Sequence, residues 1–187
     1  MKKILTIITL LIITATVVLQ ATAESSYDKI TINRKTYELK FSKCAEEQNM
    51  CINEYYLSNE KDWQWSELIT VHYYGNVQDE KAYAQNLVNK TEYAQILDSN
   101  DYYTIFTSLH PYKGNDQKLY VEQDVFKAQK DEDSGIKVLQ YATRYPYFNK
   151  EVAAKTDALM RKTQNDYMLL FKHFEIPEIV EDNFQLW

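Results

Sequence analysis

The sequence predicts an α+β fold, with one antiparallel sheet of about five to seven strands and two main helices packed on it. Three observations support this prediction. Runs rich in β-branched and aromatic residues, above all residues 68–74, are typical of strands. Two segments carry apolar residues at helical spacing. The strand-like segments are grouped between these helical segments, which favours an antiparallel sheet.

The strand predictions rest on alternation and on turn residues. Residues 30–41 alternate apolar and polar side chains around a polar interruption, which predicts a hairpin. Residues 68–74 end at Gly75 and are predicted to form the central strand. The other predicted strands are residues 51–57, 102–109, 118–128 and 136–143. A polar turn joins the last two, so they should pair as a hairpin.

The two helix predictions rest on apolar spacing and on helix-ending residues. The first helix should span residues 79–97, because apolar residues recur on one face and Asp79 is a good N-cap. The second should begin after Asn149, another good N-cap, and run to about Phe174. Pro177 prevents its continuation.

The amino-terminal segment has the three parts of a secretory signal peptide. Two lysines are followed by the apolar residues 4–19 and by small residues at Ala21 and Ala23. We therefore predict cleavage after Ala23 and a single domain at residues 24–187. An uncleaved anchor is the alternative, but a run of 16 residues is short for a helix that needs about 20 residues to span a bilayer. The predicted location is the bacterial periplasm or the exterior, without stable membrane insertion after cleavage.

The charge balance argues against a nucleic-acid partner. The whole chain has a formal net charge of −6. Removal of the first 23 residues leaves 19 basic and 27 acidic residues, a net charge of −8. Such a surface repels phosphate backbones, and the basic residues form no run longer than a pair. We expect a protein or a saccharide of the cell envelope as the partner.

The two cysteines, Cys44 and Cys51, are predicted to form a structural disulfide. In an oxidising compartment two isolated cysteines most simply pair with each other. Metal binding would need imidazole ligands nearby, and none of the three histidines is close to them in sequence. We predict neither a metal site nor a cofactor.

The sequence contains no established catalytic motif. The three glycines form no G-x-S-x-G pattern, and H-E-x-x-H is absent. Glycan hydrolysis needs only two carboxylates, and Glu54 and Glu67 are the candidates because both flank aromatic residues. The simpler interpretation is that each is an exposed or ion-paired strand residue. His72 is predicted to be an edge or surface residue, and His110 a loop residue that could titrate near neutral pH.

The tyrosine content, 16 of 187 residues, is the feature that most suggests binding. Tyrosine offers a wide contact area at a low entropic cost, which suits a protein-binding or saccharide-binding face. Adjacent tyrosines on a strand should place one ring in the core and one outside. The alternative is that the outer rings pack beneath the helices. The candidate binding surface comprises Tyr55, Trp63, Trp65, Tyr74 and Tyr103.

The central stretch also carries a short resemblance. Asn53-Glu54-Tyr55 followed by Trp65-x-Glu67-Leu68-Ile69-Thr70-Val71 resembles small exported bacterial proteins of unassigned role. It covers about twenty residues and implies export and a sheet-containing fold, with no catalytic or ligand assignment. The order of elements is similar to that of sheet-plus-helix proteins of the photosystem accessory type, whose fold often serves binding. That second likeness is one of pattern alone.

We therefore expect an exported, non-enzymatic binding or interaction protein, a class that includes inhibitors and immunity proteins. The alternative is a small cell-envelope hydrolase that acts on glycans. An interaction protein should lose its partner on Tyr74→Ala or Trp65→Ala. A hydrolase should instead lose turnover on Glu67→Gln.

Overall fold

A computed structural model describes residues 23–26, 28–60, 65–132, 134–180 and 184–185. The predicted signal peptide therefore lies outside the described residues, except for Ala23. Trp63, one residue of the predicted binding surface, also lies outside them.

The described residues form one antiparallel sheet of ten strands, which confirms the predicted fold class but exceeds the predicted five to seven strands. Eight of the ten have at least four residues. The strands are β1 Ala23–Ser25, β2 Lys29–Ile32, β3 Lys35–Ala45, β4 Met50–Leu57, β5 Glu67–Tyr74, β6 Ala94–Ser99, β7 Tyr103–Lys113, β8 Leu119–Lys130, β9 Ile136–Pro146 and β10 Phe184–Gln185.

The sheet consists of two meanders that meet at its centre. Strands β1 to β5 are neighbours in chain order, and so are β6 to β9. The two groups join where β5 pairs with β9. The short β10 pairs with the far half of β3, beyond the part of β3 that pairs with β2. This order brings β5, β9, β8 and β7 side by side.

Two helices pack on the sheet, α1 Glu80–Lys90 and α2 Lys150–Phe171. Both predicted N-caps are confirmed, since the side chain of Asp79 accepts a hydrogen bond from the amide of Ala82, and that of Asn149 from the amide of Val152, each at 2.9 Å. With 22 residues α2 is long enough to span a bilayer, but charged side chains recur along it. No helix in the described part of the chain has the features of a membrane span.

The predicted first helix, residues 79–97, is wrong in its second half. Thr91 is extended, and residues 94–99 form β6, which pairs with β7. Ala94 and Ile96 alternate with period two and therefore fit a strand as well as a helical stripe. Pairing with β7 supplies the backbone hydrogen bonds that a longer helix would have made, so tertiary context decides the outcome.

The strand predicted at residues 102–109 is longer than expected, because β7 continues through Pro111 to Lys113. Pairing of β6 with β7 reaches no farther than Ser108, so among the described strands Pro111 pairs with β8 alone. A proline lacks an N–H donor and is tolerated where one side of a strand is unpaired. His110 is consequently a strand residue and not the loop residue that was predicted.

The helices lie on opposite faces of the sheet, which gives three layers. Alternate side chains of each strand point to opposite faces. On one face Leu139 and Tyr141 pack against Tyr167 and Phe171 of α2, and we call it the α2 face. On the other, the α1 face, an apolar cluster joins α1 to the sheet. Its buried members are Ala84, Phe106, Ala128, Ile136 and Val138.

The predicted disulfide is present between Cys44 and Cys51. The two residues face each other across β3 and β4, at the end of the hairpin that a 3₁₀ turn at Glu46–Gln48 closes. The disulfide therefore restricts a short hairpin loop and leaves no free thiol among the described residues.

Replacing both cysteines by serine should lower the free energy of unfolding by about 2 to 3 kcal/mol, because the bond restricts the unfolded chain over a short loop. The cross-strand pairing of β3 and β4 should keep the native fold. Urea denaturation of the oxidised protein and of the double variant measures the difference. An unchanged midpoint with an unchanged slope would contradict this prediction.

Candidate functional site

The structure does not bring the predicted surface residues together. Tyr55 is 0% exposed and packs in the core of the α2 face, so its assignment to a binding surface is wrong. Its neighbour Tyr56 is also buried, on the α1 face against Trp65 and Leu68. The rule that one ring of an adjacent pair lies outside fails here because both faces of β4 are covered at this point.

Trp65 and Tyr74 both lie on the α1 face, but each is engaged. Trp65 is buried, and its ring lies 3.4 Å from the guanidinium carbon of Arg144. Tyr74 is half-buried and packs against Tyr83 of α1, with 5.3 Å between the ring centroids. These two residues therefore belong to different parts of that face.

Tyr103 lies on the α2 face, where its hydroxyl donates to the carboxylate of Asp98 at 3.3 Å. The preceding Tyr102 is the exposed member of the pair, at 81% exposure. The prediction of one ring inside and one outside therefore describes this pair correctly, but the outer ring is Tyr102.

A different set of aromatic and charged side chains forms a continuous, partly exposed surface on the α1 face. We call it the His110 patch. It comprises Trp65, His110, Tyr112, Tyr120, Glu122 and Arg144. Cross-strand pairing places His110 opposite Glu122, Glu122 opposite Arg144, and Tyr112 opposite Tyr120. α1 packs farther along the strands and ends beside a small cleft that reaches His110.

Arg144 is held in a fixed orientation at the centre of the patch. Its Nε donates to Glu122 Oε2 at 3.0 Å. Its guanidinium carbon lies 3.4 Å from the Trp65 ring centroid and 5.9 Å from the Tyr112 ring centroid. Stacking and ion pairing together restrict the rotamers that a free arginine would sample. Arg144 remains 27% exposed, so a ligand can reach it.

Beneath the patch lies a buried carboxylate, Asp124, which is 1% exposed. Gln140 Nε2 donates to Asp124 Oδ1 at 3.0 Å, and Ser108 Oγ donates to Oδ2 at 3.3 Å. His110 Nε2 lies 3.1 Å from the same Oδ2. A buried carboxylate is costly unless it is paired and hydrogen-bonded, so these contacts stabilise its charge. The hydrogen bond to Asp124 in turn raises the pKa of His110.

Ser108, His110 and Asp124 resemble a catalytic triad in composition but not in geometry. In a triad the acid binds Nδ1 of the histidine and the serine binds Nε2. Here Nε2 alone faces both partners, at 2.9 Å from Ser108 Oγ and 3.1 Å from Asp124 Oδ2. The serine hydroxyl is buried and donates to the carboxylate. The arrangement fixes His110 in place and gives no basic nitrogen to activate Ser108.

His72 extends this network across the sheet and is not the edge residue that was predicted. Its Nε2 lies 3.3 Å from Gln140 Oε1. Because Gln140 donates its amide to Asp124, its Oε1 must accept, and His72 Nε2 carries the proton. Burial lowers the pKa of His72, which favours this neutral form. A chain of hydrogen bonds therefore runs from β5 through β9 and β8 to β7.

The two carboxylates considered for glycan hydrolysis lie on opposite faces of the sheet. On the α2 face, Glu67 accepts from Lys35 Nζ at 2.5 Å and from the hydroxyl of Tyr37 at 2.6 Å. Glu54 accepts from the hydroxyl of Tyr56 at 2.5 Å on the α1 face. A glycosidase needs both carboxylates beside the same bond, so this pair does not support the hydrolase alternative.

Comparison with known proteins places the chain in a family. A protein-family model matches residues 25–176, from β1 to a point just beyond α2. The chain belongs to this family. The matched region includes the whole His110 patch. No curated protein and no solved structure is significantly similar to the chain.

Most residues of the His110 patch were not predicted from the sequence to form a binding surface. A weak signal was present, since Ser108, His110 and Tyr112 alternate along one strand and Glu122 and Asp124 along the next. Alternation places each set on one face but does not reveal which strands are neighbours. In the described part of the chain, no cluster of three or more potential ligands is placed to hold a metal ion.

Proposed function

We propose that this protein is an exported binding protein of the bacterial cell envelope and that the His110 patch is its ligand-binding surface. The observation that carries the proposal is the fixed orientation of Arg144 between Trp65 and Glu122 on a partly exposed sheet face. A side chain that is already ordered loses little entropy when it binds, so its contacts translate into affinity.

The composition of the patch agrees with this role. Tyrosine, tryptophan and arginine are the residues that contribute most to binding energy at protein interfaces. The patch contains two tyrosines and one arginine on the three neighbouring strands β7, β8 and β9, and one tryptophan in the segment before β5. Inhibitors and immunity proteins of the envelope belong to this functional class, and so do saccharide-binding proteins.

Export is part of the proposal and has its own test. Residues 1–23 have the composition of a signal peptide. Mass spectrometry of the protein isolated from its native host should find Glu24 as the first residue and a disulfide between Cys44 and Cys51. An intact Met1 on cytosolic protein would contradict the proposed location.

Tyr112→Ala should weaken ligand binding roughly thirtyfold, the loss expected for a hot-spot side chain worth about 2 kcal/mol. The matched control is Tyr102→Ala, which removes an exposed tyrosine that immediately precedes β7, at the end of this strand remote from Tyr112. The two variants are compared by capture of partners from an envelope extract and by binding to immobilised envelope glycans.

The proposal requires that the ligand retained by the wild type and by Tyr102→Ala is lost by Tyr112→Ala. Equal retention by both variants would place the binding surface elsewhere. Turnover of the glycans by the wild-type protein, abolished by Glu67→Gln, would instead identify an enzyme.

A further inference from the structure

The His110 patch has hydrogen-bonding capacity that the described residues leave unused, and most of it is donor capacity. Within the described part, the guanidinium of Arg144 forms one hydrogen bond, through Nε, although it carries further N–H donors. Among the same residues, neither the Tyr112 hydroxyl nor His110 Nδ1 has a hydrogen-bond partner. Arg144 has donors alone, and Nδ1 donates when His110 is protonated, so a ligand that satisfies these two groups supplies acceptors.

Both carboxylates of the patch region already accept hydrogen bonds from protein donors. Both carboxylate oxygens of Asp124 accept hydrogen bonds, and the side chain is buried. Glu122 is paired with Arg144. The hydroxyl of Tyr120 donates to Asp116 at 3.0 Å, so this tyrosine offers mainly its ring. The patch therefore favours ligands that present acceptors to the terminal nitrogens of Arg144.

We infer that the ligand of the His110 patch is an acidic saccharide whose carboxylate is held by Arg144 and His110. The inference rests on the proposed function. The planar fork of an arginine matches the two oxygens of a carboxylate, and a charge-assisted pair of this kind is stronger than a neutral hydrogen bond. With Nε bonded to Glu122, the terminal nitrogens of Arg144 remain for the ligand.

Charge favours a carboxylate over a phosphate. The whole chain has a net charge of −6, and two carboxylates, Glu122 and Asp124, adjoin the site. Arg144 and a protonated His110 balance these two charges, so the site has no large positive excess. At this site a carboxylate group, which carries one charge, is repelled less than a doubly charged phosphate monoester group.

The neighbouring aromatic residues favour a sugar ring over an acidic peptide. Tyr112 and Tyr120 stack with 5.7 Å between their ring centroids and an angle of 23° between their planes. Such a pair offers flat apolar surface beside the donors of Arg144. The C–H face of a uronic acid ring can cover a tyrosine while its carboxylate lies against the guanidinium.

The groups that face His110 determine how its protonation affects the binding of an acidic ligand. Asp124 and Glu122 from β8 are the charged residues near its ring, and both favour the protonated form. Leu87 of α1 and Thr91, the C-cap residue of this helix, line the adjacent cleft and carry no charge. Binding of an acidic ligand should therefore weaken as the pH rises through the pKa of His110, and His110→Gln should remove this dependence.

Calorimetric titration with tetragalacturonate and tetramannuronate tests the inference, with their methyl esters as neutral probes. The wild type should bind at least one of the acids, and esterification or Arg144→Gln should weaken that binding by about tenfold or more. Arg161→Gln is the matched control, because Arg161 is exposed on α2. Arg144→Lys keeps the charge but lacks the fork, so it should also bind more weakly, and thermal unfolding shows whether both variants fold.

Three outcomes would overturn the inference. The first is equal binding of an acid and its ester. The second is binding that Arg144→Gln leaves unchanged. The third is no binding of either acid, whether or not an acidic peptide binds. If an ester binds as tightly as its acid and Tyr112→Ala abolishes that binding, the carboxylate inference fails and the proposed binding function stands. Loss of partner capture on Tyr102→Ala but not on Tyr112→Ala would contradict both the carboxylate inference and the proposed binding function.

Discussion

Phe171→Ala is expected to lower the free energy of unfolding by about 3 to 5 kcal/mol, the cost of removing a large aromatic side chain from a core. Phe171 is fully buried at the end of α2, edge-on to Tyr167 with 5.7 Å between the ring centroids and 6.4 Å from the ring centroid of Phe174. The surrounding strands cannot close the resulting cavity because their cross-strand pairing holds them in place.

Leu169→Ala is the matched control, because Leu169 lies two residues away on the same helix and is 58% exposed. Its replacement should change the stability by no more than about 0.5 kcal/mol. Urea denaturation of the wild type and the two variants measures the differences in stability, provided that the three transitions have equal slopes. Similar losses for both variants would show that α2 does not pack on the sheet through Phe171.

Asp124→Ala is expected to have the second large effect, a loss of about 2 to 4 kcal/mol of stability. The substitution leaves the amide of Gln140 and the hydroxyl of Ser108 without their acceptor in a buried setting. It also removes the partner of His110, although the 50% exposure of the His110 side chain reduces the electrostatic part of the loss.

The Asp124 network also predicts a dependence of stability on pH. The folded pKa of His110 is raised, mainly by its hydrogen bond to Asp124. The stabilisation is therefore fully present below the unfolded pKa of about 6.5 and is lost as the pH rises through the folded pKa. His72 has a lowered pKa through burial, so its contribution is lost as the pH falls.

His110→Gln separates these two effects. The stability advantage of the wild type over His110→Gln should be larger at about pH 5 than at about pH 9. An NMR titration should place the His110 pKa above 6.5 in the wild type, and Asp124→Asn should bring it back towards about 6.5. A His110 pKa that Asp124→Asn leaves unchanged would contradict the network.

The elements that were predictable from the sequence depend on local chemistry. Asp79 and Asn149 cap their helices because a carboxylate or amide oxygen accepts from a free backbone amide at any helix start. Cys44 and Cys51 pair because they are close in sequence and the chain has two cysteines. The longer strands were found because β-branched and aromatic residues alternate along them.

The elements that were missed depend on long-range pairing. Residues 94–99 fit a helix until β7 is beside them. The His110 patch draws residues from the segment before β5 and from β7, β8 and β9, and it exists only because β5 pairs with β9 and not with β6. Tyr55 illustrates the same limit, since the sequence does not show that its side of β4 is buried in the core of the α2 face.

The central claim is that the His110 patch is the surface that binds the ligand. Site-specific photocrosslinking in the native host tests it most directly, with a benzophenone side chain placed at Tyr112 in one strain and at Tyr102 in another. We expect a crosslinked adduct of defined mass from position 112 and none from position 102. An adduct from position 102 alone would contradict it.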